Sequence, residues 1–277
     1  MGRGASGAGP LRGLVQEGRL TVRILFLGNN WVGWQTVRWL KDQGEEIAGL
    51  VLHPRHRQKF GDEMLGSAGV DPKFIFDGAR LREAKVLESI RALKPDIGVS
   101  VFFGYILRPD FLAVPPAGCI NLHPSFLPYN RGAHPNVWSI IEGTPAGATL
   151  HYLDPGVDTG DIIAQRRVEV EPTDTAETLY RRLEHACVEL FTEAWPLVRE
   201  GRAPRFSQAG EQGTSHRAQD VEQIDEIDLQ ATYRAQDLID LIRARTFPPH
   251  PGAYFRSGGR KVYLRLDLAY EEDATGS

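Results

Sequence analysis

Asn121 and His123 stand two positions apart in the run CINLHP, residues 119–124. In a β-strand, residues two apart share a face. A carboxamide and an imidazole would therefore project together, while Ile120 and Leu122 point the other way. Pro124 cannot donate to a sheet ladder and ends the strand directly after His123. The pair would sit at the strand's C-terminal end, where open α/β sheets hold their ligands. Further along, DPGVDTGD (residues 154–161) puts Asp158 on a turn between two apolar runs. Three polar groups of different chemical type could converge there. Each also has a plain reading: a solvent-facing strand side for Asn121 and His123, and an Asx-rich turn for the acidic loop. Counted from Asp154, the third position is Gly156 and the twelfth is Gln165, so the spacing is not that of an EF-hand.

The elements that must position these groups follow in order. VRILFLG, ending at Gly28, reads as a buried strand, and after Asn29 and Asn30 a helical pattern runs to Gly44. EIAGLVLH gives a second strand, so the opening is a βαβ unit and the sheet is parallel with a right-handed crossover. Residues 54–69 are polar and irregular and carry no firm assignment. KFIFDG reads as a short strand, LREAKVLESIRALKP as an amphipathic helix stopped by Pro95, and DIGVSVFFGYIL as a third long strand with its loop. The Asn121/His123 strand comes next, then a helix around Pro135 to Glu142. ATLHYLD and DIIAQRRVEV flank the acidic turn on the far side of the sheet, with one antiparallel pairing expected. A long helix follows Thr175, with Thr173, Asp174 and Thr175 as N-cap candidates. After residue 201 the composition shifts to a short helix after Thr232 and two strands joined through Ser257, Gly258 and Gly259. The expected organisation is a disordered tail at residues 1–20, a larger domain at 21–201, and a small C-terminal helix and β-hairpin region at 202–277.

Bulk properties exclude several classes. The chain has 277 residues, 42% hydrophobic and 25% charged, with ample material for a core. A net charge of −4 counts against an extensive nucleic-acid surface. The longest apolar run, Ile97 to Leu107, is too short to span a membrane. The two cysteines, Cys119 and Cys187, have no metal or disulfide spacing, which favours a reducing cytoplasm. His53, His56, His134, His151, His185, His216 and His250 form no metal-ligand spacing, and most read as structural or exposed, so no metal is expected. The Gly28 turn, G-N-N-W-V-G, is neither a dinucleotide fingerprint nor a P-loop. It is a strand-to-helix turn whose N–H groups could hold an anionic or polar group, or a tight connection capped by Asn29 and Asn30.

The combination N-L-H-P-S-F-L-P-Y-N-R-G followed by D-x-G-x-D-T-G-D resembles the formyltransferase family that uses 10-formyltetrahydrofolate, over roughly residues 22–200. The resemblance implies an α/β, Rossmann-like, mostly parallel twisted sheet with helices on both faces. It places a catalytic trio on Asn121, His123 and Asp158. It implies a folate-binding loop at Phe103, Gly104, Tyr105, Ile106 and Leu107, together with the turn that opens at Asp154, and a substrate-side turn at Gly28, Asn29 and Asn30. In that setting Asn121 and a protonated His123 would donate to the oxyanion formed when an amine attacks the formyl carbon. His123 and Asp158 would move protons.

Within the family, L-P-Y-N-R-G-A-H-P-N-V-W-S resembles enzymes that formylate nucleotide-linked amino sugars, and a dTDP-amino sugar is the expected acceptor. R-x-x-T-F-P-P-H-P-G-A-Y-F resembles the opening of the C-terminal region of methionyl-tRNA and aminoarabinose formyltransferases, after which about 25 residues remain, short of the tRNA enzyme's barrel. Methionyl-tRNA is the alternative acceptor. A formyltetrahydrofolate deformylase is a third reading, although its extra N-terminal domain has no counterpart in the tail. The C-terminal hairpin is expected to meet a second copy as a homodimer, because a two-stranded ribbon is marginal alone.

Overall fold

A computed structural model of the chain describes residues 21–271, so the expected tail at residues 1–20 lies outside them. The described chain divides into two compact units, each assembled from separate stretches. Residues 21–123, 149–165 and 187–209 form the first, and residues 124–148, 166–186 and 210–271 the second.

The first unit grows from the parallel strands read in the sequence. β1 (Arg23–Gly28), β2 (Glu46–Leu52), β3 (Ile75–Asp77), β4 (Ile97–Val101) and β5 (Cys119–His123) pair in parallel. Beyond the two-residue β6 (Arg131–Gly132), β7 (Ala146–Tyr152) and β8 (Ile162–Val168) complete a seven-stranded sheet of order β3-β2-β1-β4-β5-β7-β8. β7 runs antiparallel to β5, as the sequence led one to expect. β4 is buried at every position and β1 and β2 at all but their first residue, the signature of strands covered on both faces. The fold is α/β and Rossmann-like. Strand order reverses between β1 and β4, and at such a point the loops diverge and leave a crevice.

A helix at Gly61–Ala68 fills part of the stretch that carried no firm assignment. Its Gly66 and its length of little more than two turns obscure it in the sequence. Asp62 and Glu63 in its first turn favour the positive helix end, and Met64 is fully buried.

One buried carboxylate ties the far edge of this unit together. Glu45, 1% exposed, accepts from the Val22 N–H at 2.8 Å and from Trp195 Nε1 at 3.1 Å, and pairs with Arg199 Nε at 3.1 Å. The end of helix Ala176–Arg199 is thereby fastened to the start of the sheet.

In the second unit, Val137, Trp138, Ile140, Leu179, Leu183, Val221 and Ala244 form a separate apolar core. Helix Ala176–Arg199 begins there at a reciprocal cap, with the Thr175 N–H donating to Thr178 Oγ1 at 2.9 Å and the Thr178 N–H to Thr175 Oγ1 at 3.3 Å. β9 (Ser215–His216) pairs with β6. Helix Ala235–Ala244 precedes the hairpin of β10 (Tyr254–Ser257) and β11 (Arg260–Tyr263). The hairpin turn needs two left-handed residues, which Gly258 (φ 54°) and Gly259 (φ 77°) supply. Cys119 and Cys187 are both buried, and burial pushes the Cys119 thiol up to about 12.

Replacing Glu45 by Leu leaves the Val22 and Trp195 donors and the Arg199 cation without their acceptor. A loss of about 2–4 kcal/mol in unfolding free energy is expected from urea denaturation. A midpoint unchanged from wild type would show that this carboxylate does not fasten the helix.

Candidate active site

Three adjacent strands carry one residue each to the same row. Ser100 on β4 is in register with Asn121 on β5, and Asn121 faces His151 on β7. Directly opposed residues share a face, so the three polar side chains meet. Ser100 Oγ donates to Asn121 Oδ1 at 2.8 Å, and Asn121 Nδ2 lies 3.2 Å from His151 Nε2. His151 Nδ1 faces the Tyr152 carbonyl at 2.8 Å. A carbonyl only accepts, so Nδ1 carries the proton, and in the neutral ring Nε2 accepts from Asn121. The carboxamide is thus locked at both ends, and Nδ2 keeps a second N–H.

Two residues on, at the end of β5, His123 is buried, and its Nε2 lies 3.7 Å from Asp158 Oδ2. The other carboxylate oxygen, Oδ1, lies 3.5 Å from His151 Nε2. The structure therefore brings Asn121, His123 and Asp158 together. His151, which sequence reasoning did not place at the site, is completely buried among them. It was missed for a simple reason: its place follows from the β5–β7 register, which no spacing in the sequence displays. Ser100 was missed for the same reason.

The acidic turn is held from several sides. Asp154 Oδ1 accepts from the Gly156 N–H at 3.0 Å and from Thr159 Oγ1 at 2.7 Å, so this side chain shapes the loop. Asp158 adopts φ 53°, a left-handed conformation that costs a residue with a Cβ of order 1–2 kcal/mol. Gln208 Nε2 donates to the carbonyls of Asp158 at 3.1 Å and Gly160 at 2.7 Å. A Cβ on Gly160 would lie 1.9 Å from the Tyr152 carbonyl oxygen, so only glycine lets the turn close against β7.

Beside β5, the chain leaves β4 through Phe102 at φ 52° and enters the loop of Phe103, Gly104, Tyr105, Ile106 and Leu107. Phe103 and Leu107 are buried anchors, whereas Ile106 is 68% exposed. Tyr105, Ile106 and Leu107 line a cavity of about 330 Å³ with Leu81, Phe111 and Arg82. Gly28 ends β1, one strand beyond β4 and hence roughly 10 Å from β5. Asn29 does not cap the following helix; its Oδ1 accepts from the Lys59 N–H at 2.8 Å. The Asn30 N–H donates to the Lys59 carbonyl at 3.0 Å. Among the described residues no cluster of His, Cys, Asp and Glu could hold a metal ion, and no helix is long and apolar enough to cross a membrane.

Residues 26–195 match the family Formyl transferase, and residues 220–270 match the N-formyltransferase dimerization C-terminal domain. The chain is 32% identical to the methionyl-tRNA formyltransferase of Geotalea uraniireducens over 267 residues, covering 92% of this chain and 82% of that protein. A 4-N formyltransferase from Francisella tularensis is 28% identical, with a TM-score of 0.75 over 90% of this chain and 98% of its own. The formyltransferase PseJ from Anoxybacillus kamchatkensis, solved with UDP-4,6-dideoxy-4-formamido-L-AltNAc and tetrahydrofolate, is 33% identical. Its TM-score is 0.52, over 73% of this chain and 88% of its own. With the family matched over well over half of its length, the chain belongs to the formyl transferases, enzymes whose formyl donor is 10-formyltetrahydrofolate.

Proposed function

We propose that this enzyme transfers the formyl group of 10-formyltetrahydrofolate to the primary amine of a nucleotide-linked amino sugar, of the dTDP type or a similar nucleotide. The observation that carries the reading is the meeting of Asn121, His123 and Asp158 at the end of β5, on the strand next to the loop of residues 103–107. The cavity of about 330 Å³ suits a flat heterocycle, with aromatic and aliphatic walls and the Arg82 and Arg108 guanidinium groups for polar edges. Tyr105, Ile106 and Leu107 would hold the donor, helped by Phe103 and Gly104 and by the turn from Asp154. Gly28, Asn29 and Asn30 would face the acceptor. When bound, the folate supplies an activated formyl carbon for the amine to attack.

The chain's own groups then have distinct tasks. The second N–H of Asn121 Nδ2 donates to the formyl oxygen as negative charge develops there, held in line by Ser100 and His151. Protonated at Nε2, His123 adds a second donor. Asp158, 3.7 Å from that nitrogen, takes up the proton the amine sheds, directly or through a water, and His123 passes one to the departing folate nitrogen. We assign the catalytic role to residues 21–201 and a dimer-forming role to residues 202–277.

The sugar-linked acceptor is supported by the 33% identity to PseJ and by the net charge of −4, since tRNA binding favours a basic surplus. The 32% identity to a methionyl-tRNA formyltransferase supports the second reading. A homodimer is supported by the match to a dimerization domain and by exposed apolar side chains within the matched residues, Leu229, Tyr233, Ile239, Val262 and Tyr263. Two cysteines without disulfide spacing fit a reducing cytoplasm.

His123→Asn and Asp158→Ala are each expected to lower kcat by about 10²–10⁴ while circular dichroism stays native. Near-normal turnover in either variant would remove that residue from the mechanism. Formyl transfer to dTDP- and UDP-linked amino sugars should exceed transfer to charged initiator tRNA. Efficient tRNA formylation with inert sugars would reverse the choice. Light scattering should give twice the chain mass for wild type and the single mass for an Ile239→Glu, Val262→Glu variant. A monomeric wild type, or an unmoved mass in the variant, would refute the dimer.

A further inference from the structure

His53 follows β2 directly and is 5% exposed. The backbone N–H of Gly104 donates to its Nε2 at 3.2 Å, so that nitrogen is held unprotonated and the neutral ring carries its hydrogen on Nδ1. The ring stands edge-on to Phe103, with centroids 5.1 Å apart, and tilted to Tyr105 at 5.0 Å. Gln58 Nε2 donates to the His53 carbonyl at 2.6 Å and steadies its backbone. One side chain at the end of β2 therefore touches three consecutive residues of the loop after β4. We propose that His53 is a positioning residue for the formyl donor, whose unprotonated Nε2 fixes the Gly104 peptide and with it the cavity wall formed by Tyr105, Ile106 and Leu107. This rests on the reading of that cavity as the donor's slot.

The surroundings decide when the anchor is lost. Burial pushes His53 below the ordinary histidine range, the Arg57 guanidinium lowers it further, and the Asp77 carboxylate opposes both. Arg57 also lies over the Tyr105 ring, 5.5 Å from its centroid, so its charge belongs to the same cluster as the neighbouring phenol. His53 is thus neutral at and above the ordinary value of about 6.5 and takes up a proton only in more acidic solution. A protonated Nε2 can no longer accept from Gly104. Donor affinity is expected to fall as pH drops below about 6.5.

The test compares wild type, His53→Ala and His53→Gln by tetrahydrofolate calorimetry across this pH range and by amide hydrogen exchange around Gly104 in the free protein. A glutamine carbonyl can still accept the Gly104 hydrogen bond. Expected for His53→Ala are a roughly tenfold weaker affinity, the scale of one net hydrogen bond, faster exchange at Gly104, and a higher KM for the donor with an unmoved KM for the amine. His53→Gln should recover most of the affinity and lose the acid-side decline. If wild type and His53→Ala bind tetrahydrofolate equally and protect Gly104 equally, the role of His53 is refuted and the slot reading stands. If wild type does not bind tetrahydrofolate at all, the slot reading falls and this inference with it.

Discussion

The hydrogen bond between Asn121 and His151 joins residues that lie thirty positions apart, and it exists because one strand runs against the others. Strands β1 to β5 are parallel, a pattern that carries every chain end to the same side of the sheet. Had β7 also been parallel, its following loop would have left on that side too. Running antiparallel, β7 instead begins at the ligand side, passes His123 at Thr149, and presents His151 at the height of Asn121. The acidic turn that follows must then bring Asp158 back to the same cluster. Tight anchoring by Gln208, Asp154 and the close passage at Gly160 accomplishes this return.

Burial gives these polar groups their strength. His151 is inaccessible to water, and His123 is nearly so. Unmade hydrogen bonds in such a place are expensive. The row from Ser100 through Asn121 to His151 and the Tyr152 carbonyl satisfies each member in turn, and the order of donors and acceptors is thereby dictated from end to end. The left-handed backbone at Asp158 is a cost of the same design, offset by contacts made by its neighbours.

Much of this was legible before any coordinates. The period-two spacing of Asn121 and His123, the stop at Pro124 and the βαβ opening follow from local sequence rules, and they hold. What escaped was whatever depends on pairing between distant segments. Ser100 is an unremarked serine within an apolar strand, and His151 one histidine among eight in the sequence. Only register across β4, β5 and β7 singles them out. The helix at Gly61–Ala68 escaped for a different reason: eight residues with an internal glycine carry too little periodicity to register.

Both native sulfhydryls lie buried, and the one on β5 holds its hydrogen far into alkaline solution. Alkylating reagents act on thiolates, so at neutral pH the folded chain is a silent background for maleimide chemistry. A single cysteine introduced at an exposed position would be the lone reactive handle. Spin or fluorescent probes could then be placed on the loop of residues 103–107 without first stripping the protein of its own sulfur.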